Sequence, residues 1–338
     1  MQVIKHEYQN LSPVFDELEQ FYTLTSERVQ KDKLFQPVFD ETLKSIQDLF
    51  NTYANTDYDF GYTFKAQKQL DTAGFNSKNI IVCFSGGKDS IAAVLRYLKR
   101  GYNVYLYHMR HINGPLSDEW QICQEIAEQL QLPLYIDTVT VSGHHDWIEH
   151  PMKNMIIANG ALNYGIREKI GTKIAFGNYY SSSVLYDNFT FCGGDDIEMW
   201  RAYEKIIQRI IPKFRMYICL KNLGTTLNTV CKNTELLNKS VSCLSRANMR
   251  QYWHDWTEKK FGVSLPKYRC GRCYKCQVEY IYMADHNLQP YNEAYYNYCL
   301  NGLTRNLEKE TGFKYDIETV WNSFFFYPIE KSHVSRIS

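Results

Sequence analysis

The sequence predicts an α/β protein built on a doubly wound, mainly parallel five-stranded sheet. Three observations predict it. Short runs of branched and aromatic residues alternate with longer amphipathic stretches between residues 79 and 220. The gaps between those runs are long enough for crossover helices, which makes the strands parallel. A glycine-rich break, SGGKDS at 85–90, closes the first run and opens the first amphipathic stretch, where such sheets bind ligands.

The elements follow in order. NIIVCF at 79–84 is a short branched run, suited to a strand covered on both faces. DSIAAVLRYLKR then carries Ile91, Val94, Leu95 and Leu98 on one helical face, and Gly101 stops it. NVYLYHM is the second strand. SDEWQICQEIAEQL is the second helix, with Ser117 as its cap and acids in its first turn. PLYIDTV, then PMKNMIIANGALNYGIREKI, then TKIAFGNY give strand, helix and strand. DDIEMWRAYEKIIQRI and RMYICL complete the alternation.

The expected division has four parts: a helical lead at 1–78, the α/β domain at 79–225, a cysteine-bearing subdomain at 226–283 and an aromatic-rich tail at 284–338. In the lead, Pro37, Val38, Leu43, Ile46 and Phe50 fall near helical spacing.

Composition narrows the function classes. The chain has 338 residues, 44% hydrophobic and 22% charged, with a formal net charge of +1. That balance gives no global attraction to polyanions, so direct nucleic-acid binding is not expected. No apolar run approaches the ~18–20 residues of a membrane span. MQVIKHEYQN lacks the pattern of a secretory leader, so the expected location is cytoplasmic. Ten cysteines in such a chain do not suggest a disulfide scaffold, and Cys83, Cys123 and Cys219 read as buried thiols. The 27 tyrosines and 18 phenylalanines suit core, interface or base stacking. In the tail, NEAYYNYCLNGL reads as core or interface.

SGGKDS offers the chemistry of a phosphate site. Gly86 and Gly87 allow close backbone approach. The following helix presents unpaired N–H groups and a positive dipole end. Ser85 and Ser90 add hydroxyls, and Lys88 adds a mobile cation. Asp89 would repel a phosphate unless a divalent cation lies between them or it caps nearby N–H groups, so it points to Mg²⁺. The spacing excludes both G-x-x-x-x-G-K-[ST] and G-x-G-x-x-G. His108 and His111 follow the second strand on the same side and are candidates for contact with nucleotide or substrate. His144, His145 and His150 read as loop histidines.

YRCGRCYKCQ places Cys270, Cys273 and Cys276 in C-x-x-C-x-x-C, and SVSCLSRANM supplies Cys243. Four thiols in this pattern suit a tetrahedral zinc site. Arg269, Arg272 and Lys275 would offset thiolate charge. A [4Fe–4S] cluster competes, although CQVEY lacks the fourth Cys-Pro of bacterial ferredoxins. Cys231 and His254 are alternative fourth ligands.

The loop resembles the S-G-G-x-D-S signature of the PP-loop, or N-type, ATP pyrophosphatases. That resemblance implies cleavage of ATP between the α and β phosphates and transfer of AMP to a carboxylate or carbonyl oxygen. A nitrogen or sulfur nucleophile then displaces AMP. It assigns Ser85, Gly86, Gly87, Lys88, Asp89 and Ser90 to ATP, with Lys88 and Asp89 catalytic.

With Cys243 and the 270–276 triplet, residues 79–283 resemble the 7-cyano-7-deazaguanine synthases. Lys153–Asn154 stands where that family has Arg-Asn, Gly177–Asn178 ends a strand facing the nucleotide, and FCGGDDIEMWRAY contains Asp195 in an acidic turn. The resemblance thus implies Gly177 and Asn178 for ATP, with Asn154 and Asp195 near the substrate. It also implies ATP, Mg²⁺, ammonia and a 7-carboxy-7-deazaguanine substrate, structural zinc, and frequently a homodimer. The departures are Lys88 in place of the usual Gln, and the long lead and tail. Lys88 is commoner in tRNA-thiolating branches, and the extensions suit docking of a protein partner, as in phage or defence relatives. A non-catalytic nucleotide-binding subunit is a further class, disfavoured by the intact loop.

Overall fold

The structure is a computed structural model and describes residues 3–8, 22–26, 62–66, 68–111, 119–139, 153–179, 197–212, 214–221, 223–241, 243 and 247–311. Its strands are β1 (Val3–Tyr8), β2 (Tyr22–Ser26), β3 (Tyr62–Ala66), β4 (Asn79–Cys83), β5 (Asn103–His111), β6 (Leu134–Val139), β7 (Lys173–Tyr179) and β8 (Arg215–Lys221). Its helices are α1 (Lys88–Lys99), α2 (Glu119–Leu130), α3 (Lys153–Arg167), α4 (Ile197–Ile210), α5 (Leu223–Cys231), α6 (Thr234–Lys239), α7 (Ala247–Phe261), α8 (Tyr274–Asp285) and α9 (Glu293–Thr311).

The main sheet is six-stranded, in the order β1-β6-β5-β4-β7-β8, and every pairing is parallel. The chain runs outward from β4 through β5 to β6. It then returns to place β7 on the other side of β4. Strand order therefore reverses at β4, and the crevice at a reversal is where open α/β sheets take ligands. The expected doubly wound fold is present, with one strand more than the five expected.

The extra strand corrects the reading of the lead. Its described regular elements are strands: β1 joins the edge of β6, and β2 pairs with β3 in a separate antiparallel ribbon, while 68–78 are turn and irregular backbone. An open edge of unpaired N–H and C=O groups on β6 is satisfied by any extended segment that reaches it. The expected helix at 37–50 lies outside the described residues. Among the described residues no helix is long and apolar enough to cross a membrane.

β4 is buried along its whole length, because helices cover both faces. On one face Ile80, Val82 and Phe84 pack with Ile91 and Val94 of α1 and Ile122 and Ile126 of α2. α3 lies on the other, where the rings of Tyr107, Tyr135 and Tyr164 stack, the last two at 4.1 Å between centroids. The tyrosines there are core. In the cysteine subdomain, α8 packs on α9 through Tyr280, Ile281, Tyr295, Cys299 and Leu303. The tail helix is thus core for the cysteine subdomain.

Candidate functional site

The loop stands at the carboxyl end of β4, and the local sequence explains its shape. Gly86 has φ +70, a conformation that a residue with a side chain rarely takes. That turn lets the chain leave the strand and enter α1 directly. Gly87 occupies the cap position, and no side chain caps the helix. Ser85 is exposed, and its Oγ accepts the Gly87 N–H at 3.3 Å. Ser90 is buried, and its Oγ donates to the Gly87 carbonyl at 2.9 Å. The two hydroxyls lie 3.4 Å apart. A helix start left without a side-chain cap is a ready site for an anion.

Asp89 does not serve as the cap. Its Oδ2 accepts from Lys88 Nζ at 2.9 Å, and its Oδ1 is buried without a hydrogen-bond partner. An acceptor oxygen left over beside an anion site fits a divalent cation, so the residues present suit Mg²⁺.

Lys88 departs from expectation. It is not a mobile cation on the loop but is buried, and Glu279 Oε1 lies 3.6 Å from its Nζ. Burial would lower its pKa. Asp89 and Glu279 outweigh that and hold it above the ordinary lysine value. Glu279 Oε2 in turn accepts from Arg269 Nε at 2.7 Å. Arg269 also donates through Nη1 to the Ser240 carbonyl and through Nη2 to Ser240 Oγ. Sequence reasoning missed Glu279. Its one signal was an acid inside the apolar stretch CQVEYIYMA, which is rare unless the acid is paired.

The four thiols converge. Cys243, Cys270, Cys273 and Cys276 bring their sulfurs within 4.8 Å of one another. Individual separations are 3.4 Å for Cys273–Cys276 and 3.9 Å for both Cys270–Cys276 and Cys243–Cys273. Sulfurs placed tetrahedrally at about 2.3 Å from one zinc ion would stand about 3.8 Å apart. The donor set therefore fits a single tetrahedral ion. Backbone N–H groups of Arg272 and Cys273 point at Cys270 Sγ, as they would at a thiolate. The alternative ligands lie elsewhere: Cys231 packs among apolar residues, and His254 Nδ1 contacts the Arg269 carbonyl at 2.8 Å. Of the expected counter-charges, Arg269 is buried, which would lower its pKa, but Glu279 first and then the thiols of Cys276 and Cys243 hold it above its ordinary value. Arg272 instead lies over the Trp253 ring at 3.8 Å.

The remaining candidates are placed as follows. Gly177 runs against the first turn of α1: a Cβ there would stand 2.1 Å from the Asp89 carbonyl oxygen. His108 is buried beneath the loop, with Nδ1 2.8 Å from the Phe84 carbonyl and 3.6 Å from Cys123 Sγ. It supports the strand end that carries the loop instead of facing open space. Asn154 lies in the first turn of α3 and is half-buried. His111 is the last residue of β5 and Asn178 the penultimate residue of β7, but their side chains, like the whole of Asp195 and the histidines at 144, 145 and 150, lie outside the described residues. The apolar-context thiols Cys83 and Cys123 are buried, and burial pushes both well above the usual thiol range.

One further group went unremarked in the sequence. Asp137 of β6 is buried, accepts from Tyr107 Oη at 2.7 Å and keeps Oδ1 without a hydrogen-bond partner. Burial pushes its pKa up to about 7, against the opposing hydrogen bond from Tyr107.

No family model and no curated protein matches this chain. Among solved structures it is similar to the U34-tRNA thiolase NcsA from Methanococcus maripaludis with its [4Fe-4S] cluster, at 16% identity and a TM-score of 0.34, over 65% of this chain and 74% of that one. It is also similar to the NH3-dependent NAD synthetase from Campylobacter jejuni in complex with the nitrate ion, at 13% identity and a TM-score of 0.30, over 81% of this chain and 96% of that one. At these scores the fold assignment rests on the strand order and register themselves.

Proposed function

We propose that the chain is an ATP-dependent adenylating enzyme of the PP-loop ATP pyrophosphatase type. Within that class, we propose the 7-cyano-7-deazaguanine synthase reaction: a carboxylate is activated as an acyl-adenylate, converted to an amide by ammonia, and then to a nitrile in a second ATP-dependent step. One observation carries the reading. The SGGKDS turn sits at the strand-order reversal, with an uncapped helix start on one side and a partnerless Asp89 oxygen on the other.

The chemistry follows from those residues. A carboxylate is a poor acyl donor because oxide is a poor leaving group, and AMP is a good one. The barrier lies in charge building on the departing pyrophosphate. Uncapped N–H groups of α1 and the Ser85 hydroxyl, whose proton is not used by its contact with the Gly87 N–H, are held in place before reaction and stabilise that charge, while Ser90 braces the turn through the Gly87 carbonyl. Asp89 Oδ1 would hold Mg²⁺, which supplies further charge neutralisation when bound. Lys88 contributes from beneath the loop, as a buried cation.

The thiol separations support zinc over [4Fe–4S]. In a cubane each thiolate takes a different iron, which spreads the sulfurs further apart. Its role in this reading is structural.

The test is pyrophosphate release from Mg·ATP, measured with and without 7-carboxy-7-deazaguanine and ammonia. Release that depends on both, with nitrile as product, is the expected result. Pyrophosphate without nitrile would keep the adenylation and move the acceptor elsewhere. No pyrophosphate under any condition would overturn the enzymatic reading.

A further inference from the structure

The loop is gripped by the same two chain segments that carry the four cysteines. The first is 240–243. Val241 N–H donates to the Gly86 carbonyl at 2.9 Å, and Cys243 follows it by two residues. The second is 269–279. Arg269 immediately precedes Cys270, and Glu279 lies one helical turn beyond Cys276 on α8. Ser240 joins the two segments by accepting from Arg269.

Charge runs through this joint in alternating sign: Asp89, Lys88, Glu279, Arg269. The side chains of Lys88, Glu279 and Arg269 are 6%, 2% and 2% exposed, so water screens none of these contacts well. A buried charge that loses its partner is costly, so each member constrains the position of the next. Lys88 cannot relax toward solvent without leaving Glu279 and Asp89 behind. Glu279 cannot move without α8, whose first turns are anchored by Cys273 and Cys276.

We propose that Glu279 is the positioning residue for Lys88, and that through it the four-thiol centre sets the geometry of the nucleotide loop. Metal binding at the thiols and nucleotide binding at the loop are then linked. Each strengthens the other by the same factor, because both depend on one arrangement of the 240–243 and 269–279 segments. This rests on the ATP reading above only for the identity of the ligand at the loop.

Two measurements test it. The first needs no nucleotide: melting of Lys88→Gln, Glu279→Gln and the double variant, each checked for metal content. Each single change should lower the melting temperature by roughly 5–10 °C. The double variant should lose clearly less than the sum, because the two changes remove opposite charges from one contact. Additive losses would overturn the link.

The second is Mg·ATP affinity by calorimetry, for the metal-loaded wild type, the chelator-treated wild type and metal-loaded Glu279→Gln. Chelation should weaken binding by roughly 5–100-fold, and Glu279→Gln should weaken it with its metal still in place. Unchanged affinity in the folded, metal-loaded variant would overturn the positioning role. A wild type that binds no ATP, together with a non-additive melting cycle, would sink the ATP reading and leave the Lys88–Glu279 link standing.

Discussion

Gly177 passes so close to Asp89 that a single methyl group on it would meet the Asp89 carbonyl oxygen at 2.1 Å and the Ser90 nitrogen at 2.7 Å. β7 and the first turn of α1 therefore touch backbone to backbone at the centre of the candidate site. Both obstructing atoms are main chain, so no side chain can swing aside. Gly177→Ala should displace the loop and destabilise the fold by roughly 1–3 kcal/mol, read in denaturant unfolding. A variant as stable as the wild type would show that α1 has slack that the structure does not display.

Asp89 separates function from fold. It caps no backbone N–H, and one of its oxygens has no hydrogen-bond partner. Asp89→Asn should leave melting close to that of the wild type, apart from the weakened Lys88 contact. It should lower ATP turnover by on the order of 10²–10³-fold. Turnover near the wild-type rate would remove Asp89 from the site.

The thiol centre should hold one metal ion per chain. Cys270 and Cys276 are buried and belong to segments that pack against the loop, so Cys270→Ser should cost most of the bound metal. Elemental analysis would read the loss directly, and zinc without a visible chromophore is the expected identity. Iron with a visible absorption band would return the [4Fe–4S] alternative.

Asp137 gives the fold a pH signature. Its folded pKa is pushed up to about 7 by burial, above the unfolded carboxyl value of 3.8. Between those values the unfolded chain has lost the proton while the folded chain still holds it. Stability therefore falls as pH rises from about 4 to about 7, by up to roughly 4 kcal/mol, and levels off above. Asp137→Asn keeps an acceptor for Tyr107 and removes the proton, so its stability should fall less over that range. Parallel pH profiles for variant and wild type would assign the effect to another group.

Much of this site was legible from local pattern. The alternation of strand and helix, the SGGKDS turn and the C-x-x-C-x-x-C triplet each depend on residues close in sequence, and each appears as expected. Cys243 was recognisable as a partner of the triplet because thiols are chemically distinctive. The edge strand in the lead was not legible because Val3–Tyr8 becomes a strand by docking on β6, more than a hundred residues along the chain, and carries no strong period of its own. Lys88 was misread because a lysine in a phosphate-type loop gives no sign of which way its side chain turns.

By itself, then, the sequence determined the α/β class, the place of the loop at the end of the first core strand, and the thiols that gather near the C-terminal end of the described chain. Short-range periodicity and distinctive chemistry are enough to encode those. Only the tertiary structure decided that β4 lies at the reversal of strand order, that β1 extends the sheet, and that Lys88 faces Glu279 across more than half the length of the chain. A buried charge takes whichever counter-charge the packed fold brings within reach, and sequence separation does not enter that energy.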